Sequence, residues 1–152
     1  MPNSVSLAGI KITLVAGYPK CVDNIQTWKY SVTFTEGPPT PGISDFSFQL
    51  CNPEHNVTNF IPGVADGGVY DAENAQPCLA SEYGATRQIK WNRNNDNVVG
   101  EYEFSLVGCF KSCDINIAVK AGSPCNYGVI TGPCCTPETT TVRGIDFSKI
   151  KY

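Results

Sequence analysis

The chain has 152 residues, of which 41% are hydrophobic and 16% charged, and its formal net charge is −3. That is the length of one domain with apolar residues enough for one core, which excludes a disordered polyelectrolyte. The 11 Lys+Arg never form a run, so the basic footprint of a nucleic-acid binder is missing, and a lone histidine, His55, excludes a His-rich metal site.

Apolar and polar residues alternate along most of the chain. Ile10, Ile12 and Leu14 alternate with Lys11 and Thr13 within the strand candidate Ser4 to Val15. Trp28, Tyr30, Val32 and Phe34 alternate with Lys29, Ser31 and Thr33, and Phe46, Phe48 and Leu50 with Ser47 and Gln49. Shorter candidates fall at Val57 to Ile61, closed by Pro62, and at Arg87 to Trp91. Tyr102, Phe104 and Leu106 follow, then Ile115, Ile117 and Val119, then Tyr127 to Thr131 and Thr139 to Phe147. Successive side chains of a strand point to opposite faces, so each segment offers one apolar and one wet face. Turn clusters separate them: Gly37 to Gly42, Asp66-Gly67-Gly68, Asn92 to Asn97 and Gly122-Ser123-Pro124. No helical stripe is present. The pattern predicts an all-β fold, an antiparallel β-sandwich or jelly roll of about eight or nine strands in a single domain over residues 1–152.

The eight cysteines are Cys21, Cys51, Cys78, Cys109, Cys113, Cys125, Cys134 and Cys135. An even count without paired C-x-x-C knuckles points to disulfides rather than zinc, and disulfides point to an extracellular or otherwise oxidising destination. Cys109 and Cys113 are expected to flank a hairpin that starts at Gly108 and to bridge across it. The adjacent Cys134 and Cys135 are expected not to bridge each other, because the short ring strains the geometry, so each takes a different partner. The opening Met-Pro-Asn-Ser lacks a positive n-region, and no apolar run has the length of a membrane span. The expected routes are a processed mature chain or a surface reached without the usual signal.

Several motifs, taken in order, resemble a family of small cysteine-containing domains of bacterial surface and spore-associated proteins, with pherophorin-like relatives. They are Thr27-Trp28-Lys29-Tyr30-Ser31-Val32, Phe46-Ser47-Phe48-Gln49-Leu50-Cys51, Ile89-Lys90-Trp91, Glu103-Phe104-Ser105-Leu106, Ala118-Val119-Lys120-Ala121-Gly122 and Gly132-Pro133-Cys134-Cys135. The resemblance implies a secreted or surface β-sandwich with no catalytic role. It also implies that one of the adjacent cysteines closes the core with Cys51, leaving the other to lock a neighbour or the tail. Cys109/Cys113, Cys134/Cys135 and the Asn-rich loop depart from the pattern.

No nucleophile elbow, phosphate loop or H-E-x-x-H motif occurs, and no catalytic residue is assigned. His55, in Cys51-Asn52-Pro53-Glu54-His55-Asn56, reads as a surface-loop histidine. Asn92, Asn94 and Asp96, with Glu103 further on, mimic calcium-loop spacing, but Asn97 stands where the loop glycine belongs. The loop reads as solvated, with no metal and no cofactor. Trp91, Tyr70, Tyr83 and Tyr127 are candidate glycan platforms, though alternating strands place most aromatics in packing. The termini, 1–16 and 139–152, carry strand character in Ile10, Ile12 and Leu14 and in Ile145, Phe147 and Ile150. Each either completes its own sandwich or pairs with the open edge of another copy. The expected function is a non-enzymatic structural subunit of an extracellular, cell-surface or spore-associated assembly, a filament among the options. Its partners would be copies of itself, with surface glycans for a lectin-like adhesin as the alternative, and with neither nucleic acid nor a membrane span.

Overall fold

The computed structural model describes residues 1–138. Eleven strands form: β1 (Ser4–Leu7), β2 (Ile10–Leu14), β3 (Lys20–Val22), β4 (Ile25–Phe34), β5 (Ile43–Gln49), β6 (Val57–Ile61), β7 (Gly68–Asp71), β8 (Gln88–Trp91), β9 (Gly100–Val107), β10 (Phe110–Ala121) and β11 (Cys125–Pro137). One short helix, α1 (Cys78–Tyr83), precedes β8. The first sheet runs β1-β2-β4-β9-β6, and the second β11-β10-β5-β8-β7. Every pairing is antiparallel. The expected β-sandwich is therefore present, with more strands than expected. Ala8 and Gly9 turn the chain with positive φ, 52° and 89°, and split the Ser4 to Val15 segment into a hairpin. The short β3 and β7 are the other additions. β4 is long enough to serve two partners on one edge: β2 pairs with Tyr30 to Phe34 and β3 with Ile25 to Thr27.

The alternating residues fill the space between the sheets. Trp28, Tyr30, Phe46, Phe48, Trp91 and Phe104 are fully buried and Tyr102 nearly so. Most of their rings meet as tilted or edge-on neighbours, with Tyr30 and Phe104 stacked at 6.2 Å. Tyr30 and Phe48 lie 4.6 Å apart between centroids, Phe46 and Tyr102 4.8 Å, and Trp91 and Tyr102 5.1 Å. Such offset contacts add to the area term of burial. Their polar tips are satisfied: the Tyr30 hydroxyl donates to the Thr131 carbonyl at 2.9 Å and the Trp91 indole to the Pro62 carbonyl at 2.8 Å. A second, smaller cluster lies where α1 covers Ala118, gathering Ala75, Cys78, Leu79 and Ala85.

The break at Gly108 is not a hairpin. β9 lies in the first sheet between β4 and β6, and β10 in the second between β11 and β5. The Gly108-Cys109 connection therefore carries the chain across the sandwich. The reason lies in the backbone partners: the Val107 N–H donates to Asn56 and the Gly108 N–H to Asn24, both from the first-sheet side. Gly108 takes φ 104°, and a Cβ there would crowd the Phe110 ring at 3.3 Å. The crossing delivers the backbone of Phe110 into the interior, where its polar groups need partners. Gln26 supplies them. Its Nε2 donates to the Phe110 carbonyl at 3.0 Å, and its Oε1 accepts from the Phe110 N–H at 3.1 Å and the Trp28 indole at 2.9 Å.

The N-terminal hairpin completes its own sandwich. Ile10 and Ile12 are buried between the sheets, and Leu14 is 9% exposed. Val5 and Leu7 of β1 press on Gly128 of β11, so close that a Cβ at Gly128 would sit 2.9 Å from Val5. The Thr131 N–H and hydroxyl both donate to the Pro2 carbonyl, at 2.8 and 2.7 Å. Ile10, Ile12 and Leu14 are thus core residues of their own subunit rather than residues offered to another copy. The remaining terminal candidates, Ile145, Phe147 and Ile150, lie outside the described residues.

Replacing Gln26 with Leu keeps the bulk but strands the Phe110 N–H and carbonyl and the Trp28 N–H in the core. The expected loss is about 3 kcal/mol, from an unsatisfied-group cost of about 1–3 kcal/mol each with partial relaxation. Urea denaturation under non-reducing conditions measures it; a loss under about 0.5 kcal/mol, the scatter of ordinary surface substitutions, would remove this bond set from the account.

Candidate functional site

All eight cysteines are bonded within the chain, as Cys21–Cys109, Cys51–Cys135, Cys78–Cys125 and Cys113–Cys134. Their Cα atoms lie 5.0 to 5.9 Å apart, the usual span of a disulfide. Four bridges belong to an oxidising environment, which makes the chain a secreted or extracellular type of protein. The expected Cys109–Cys113 bridge does not form. With the chain crossing sheets at Gly108, Cys109 faces β3 of the first sheet and Cys113 lies within β10 beside β11. Cys134 and Cys135 do take different partners, because neighbours on a strand project to opposite faces. Cys135 closes on Cys51, the partner implied by resemblance. Cys134 is not free for a neighbour, since it is held by Cys113.

Three of the four bridges converge on one end of the sandwich, where β5, β9 and β11 finish and β10 begins. His55 sits at the centre of that end. It is fully buried, not a surface-loop residue. The sequence Cys51-Asn52-Pro53-Glu54-His55 turns back on itself, the His55 N–H donating to the Cys51 carbonyl at 2.9 Å. That turn brings the imidazole Nδ1 to accept the Cys51 N–H at 2.8 Å. Nε2 lies 2.7 Å from the Cys134 carbonyl, an acceptor only, so the proton sits on Nε2. One neutral imidazole thus ties the two neighbouring disulfides, Cys51–Cys135 and Cys113–Cys134, through their backbones. The Phe110 ring stands edge-on to it, 4.6 Å away. The His55 carbonyl accepts from Tyr70 Oη at 2.9 Å and from Arg87 Nη1 at 2.8 Å. Arg87 is itself buried and also donates through Nε to Ala72 and through Nη1 to Pro53. Burial pushes the His55 pKa below its ordinary value, Arg87 adds to that, and the bond to Cys134 and the charge of Glu54 oppose it.

As chemistry, this end is closed. Both imidazole nitrogens are engaged, the sulfurs are bonded, and among the described residues no three His, Cys, Asp or Glu side chains gather as a metal group. A groove of about 220 Å³ runs over the two neighbouring bridges, between Gln49, Asp114, Asn116 and Pro133. Its lining is two disulfides, two amides, the Asp114 carboxylate and the apolar Ile115 and Pro133.

The other candidates fall apart spatially. In the Asn-rich loop the side-chain oxygens of Asn94 and Asn97 are spent on backbone: the Asp96 N–H donates to Asn94 Oδ1 at 2.9 Å and the Asn94 N–H to Asn97 Oδ1 at 2.8 Å. Arg93 spans the loop, reaching the Asn97 carbonyl and the Tyr102 hydroxyl. Asn92, Asn94 and Asp96 form a braced turn, and Glu103 belongs to β9. Trp91 is core, Tyr70 and Tyr127 are half-buried against the two core clusters, and of the aromatic platform only Tyr83 is exposed, its ring centre 5.6 Å from that of Tyr127 and nearly perpendicular to it. A cleft of about 620 Å³ lies at the opposite end among Pro38, Pro39, Pro41 and Pro124. The buried roles of His55, Arg87 and Gln26 are invisible to alternation, because each depends on a partner far along the chain. Comparison with protein-family models, curated proteins and solved structures finds no match for this chain.

Two outcomes follow. Since the folded His55 pKa is depressed, the unfolded chain binds a proton that the folded one refuses. The stability held above about pH 6.5, the unfolded value, therefore falls as pH drops toward the lower folded value and levels off beneath it. Urea midpoints at pH 7.5 and 5.0 should separate more in the native chain than in His55→Gln; equal separations would remove His55 from the acid response. In stepwise reduction with alkylation mapping, Cys21–Cys109 and Cys51–Cys135, each with an exposed cysteine, should open before Cys78–Cys125, where Cys78 is 2% exposed. First opening of Cys78–Cys125 would show that burial does not set the order.

Proposed function

We propose that this chain is a non-enzymatic structural subunit of an extracellular, cell-surface or spore-associated assembly, a filament in its extended form. Disulfides give the subunit its durability, and its C-terminal segment joins one copy to another. The observation that supports this is the stapling of the C-terminal exit. The two cysteines just before the chain leaves β11 are tied to different elements, Cys134 to β10 and Cys135 to the end of β5. The next anchor is the Glu138 N–H on the Cys109 carbonyl at 2.7 Å, and Cys109 is tied to β3 of the other sheet. Tension applied to residues beyond 138 would spread at once into both sheets.

A binding module is the alternative, and the exposed Tyr83 with the half-buried Tyr127 beside it is the feature in its favour. A nearly perpendicular pair offers one edge and one face, not the flat platform on which a sugar ring stacks.

The comparison of the full chain with one ending at Glu138 tests the reading. The shorter chain keeps the whole described core and all four bridges, so its circular dichroism should stay β-type and it should sediment as a monomer. The full chain should form larger species, visible by electron microscopy, that persist without reductant. A full chain that stays monomeric at high concentration would replace the subunit reading with the binding module.

A further inference from the structure

β6 is the last strand of the first sheet, and among the described residues no strand pairs with its outer edge. An open edge offers unpaired backbone groups to any other strand, and folded proteins cover it. Where β6 begins stands Asn56-Val57-Thr58, and Asn56 is the one asparagine of the chain with serine or threonine two residues on. Asn56 and Thr58 are both exposed, whereas Val57 between them is half-buried against the core. The register to β9 slips between Val57 and Asn59, which makes Thr58 the extra residue of a β-bulge, outside the ladder. Its hydroxyl has only a long contact, 3.4 Å to the Ser105 carbonyl. The Asn56 Oδ1 accepts from Arg87 Nη1 at 3.4 Å, while its Nδ2 donates to no group among the described residues.

We propose that Asn56 is a modification site that carries one N-linked oligosaccharide. Such transfer needs a reachable carboxamide nitrogen and a hydroxyl two residues on, on the surface of a secreted protein. The four bridges supply the compartment, so the inference stands apart from the subunit reading. The donor is an oligosaccharide carried on a polyprenyl diphosphate. Asn56 Nδ2 attacks the anomeric carbon of its first sugar, and a C–N bond forms. The bond from that carbon to the diphosphate oxygen breaks, the diphosphate leaves with the electron pair, and one amide proton passes to a base of the transferase. Three features of this chain favour the step. A bulged segment of an edge strand is lifted into another protein's site at less cost than a paired central one. Glu54, exposed two residues before Asn56 and without an ion-pair partner among the described residues, offers an anionic handle to a cationic binding cleft. The turn behind the acceptor is held by the His55 bond to the Cys51 N–H and by Cys51–Cys135, which gives the acceptor a fixed base. A sugar on Asn56 stands where the open edge of β6 starts and serves as the cover that strand lacks.

Intact mass and glycopeptide mapping of the full chain, purified from its native source, test this. The expected result is a single oligosaccharide attached at Asn56. Asn56→Gln and Thr58→Ala, each made in the same cells, should lose it completely, while Thr58→Ser should keep it. Both positions are exposed, so the fold should stand in all three variants, which circular dichroism verifies. An unmodified Asn56 in the native protein would overturn the proposal. So would sugar that persists in Asn56→Gln, which places it elsewhere, or sugar on Asn56 that survives Thr58→Ala, which removes the hydroxyl from the transfer. Sedimentation tests the subunit reading separately, so either reading can fail with the other standing.

Discussion

Two residues, Gly108 and Cys109, carry the chain from one sheet to the other, and the rest of the structure is arranged around making that crossing tolerable. A short crossing through an apolar interior brings backbone N–H and carbonyl groups where water cannot follow. Gln26 answers both groups of Phe110 at once and holds the Trp28 indole with the same oxygen. Gly108 accepts the backbone turn that a side chain would resist, and the Cys21–Cys109 bridge fixes the crossing to β3. Phe110, once placed, becomes the wall against which His55 packs. The buried polar network and the disulfide end are therefore one construction rather than two.

This explains why polar residues sit deepest at the cysteine-rich end. Gln26, His55 and Arg87 are nearly or wholly buried, and each spends most of its hydrogen-bonding capacity on main-chain groups. A group so satisfied does not carry the cost of an orphaned buried donor, and it fixes which loops meet. The disulfides then hold a geometry that the hydrogen bonds already specify.

Much of the sandwich was legible in the sequence. Each alternating run buries the face its apolar residues define: Trp28, Tyr30 and Val32 in β4, Phe46 and Phe48 in β5, Tyr102, Phe104 and Leu106 in β9, Ile115, Ile117 and Val119 in β10. Period two tells which side of a strand is apolar, but not which sheet the strand joins. That is why Gly108 reads as a hairpin and the Cys109 and Cys113 partners came out wrong. The separation of Cys134 from Cys135 was legible because it follows from local geometry. Burial of His55 was not, since its partners include a carbonyl 79 residues away.

The order of synthesis gives the disulfide connectivity a further meaning. Cys21 and Cys51 are made first, and their partners lie 88 and 84 residues later. While the chain is still emerging, the sulfurs within reach of each other are the wrong ones, Cys21 with Cys51 and then Cys51 with Cys78. Oxidation that keeps pace with the ribosome would trap these pairs and demand repeated reshuffling. Oxidation that waits until β11 has docked finds every correct pair already side by side. This connectivity thus suits a protein that folds while its thiols are still reduced and meets its oxidant afterwards, sealing a shape rather than guiding it.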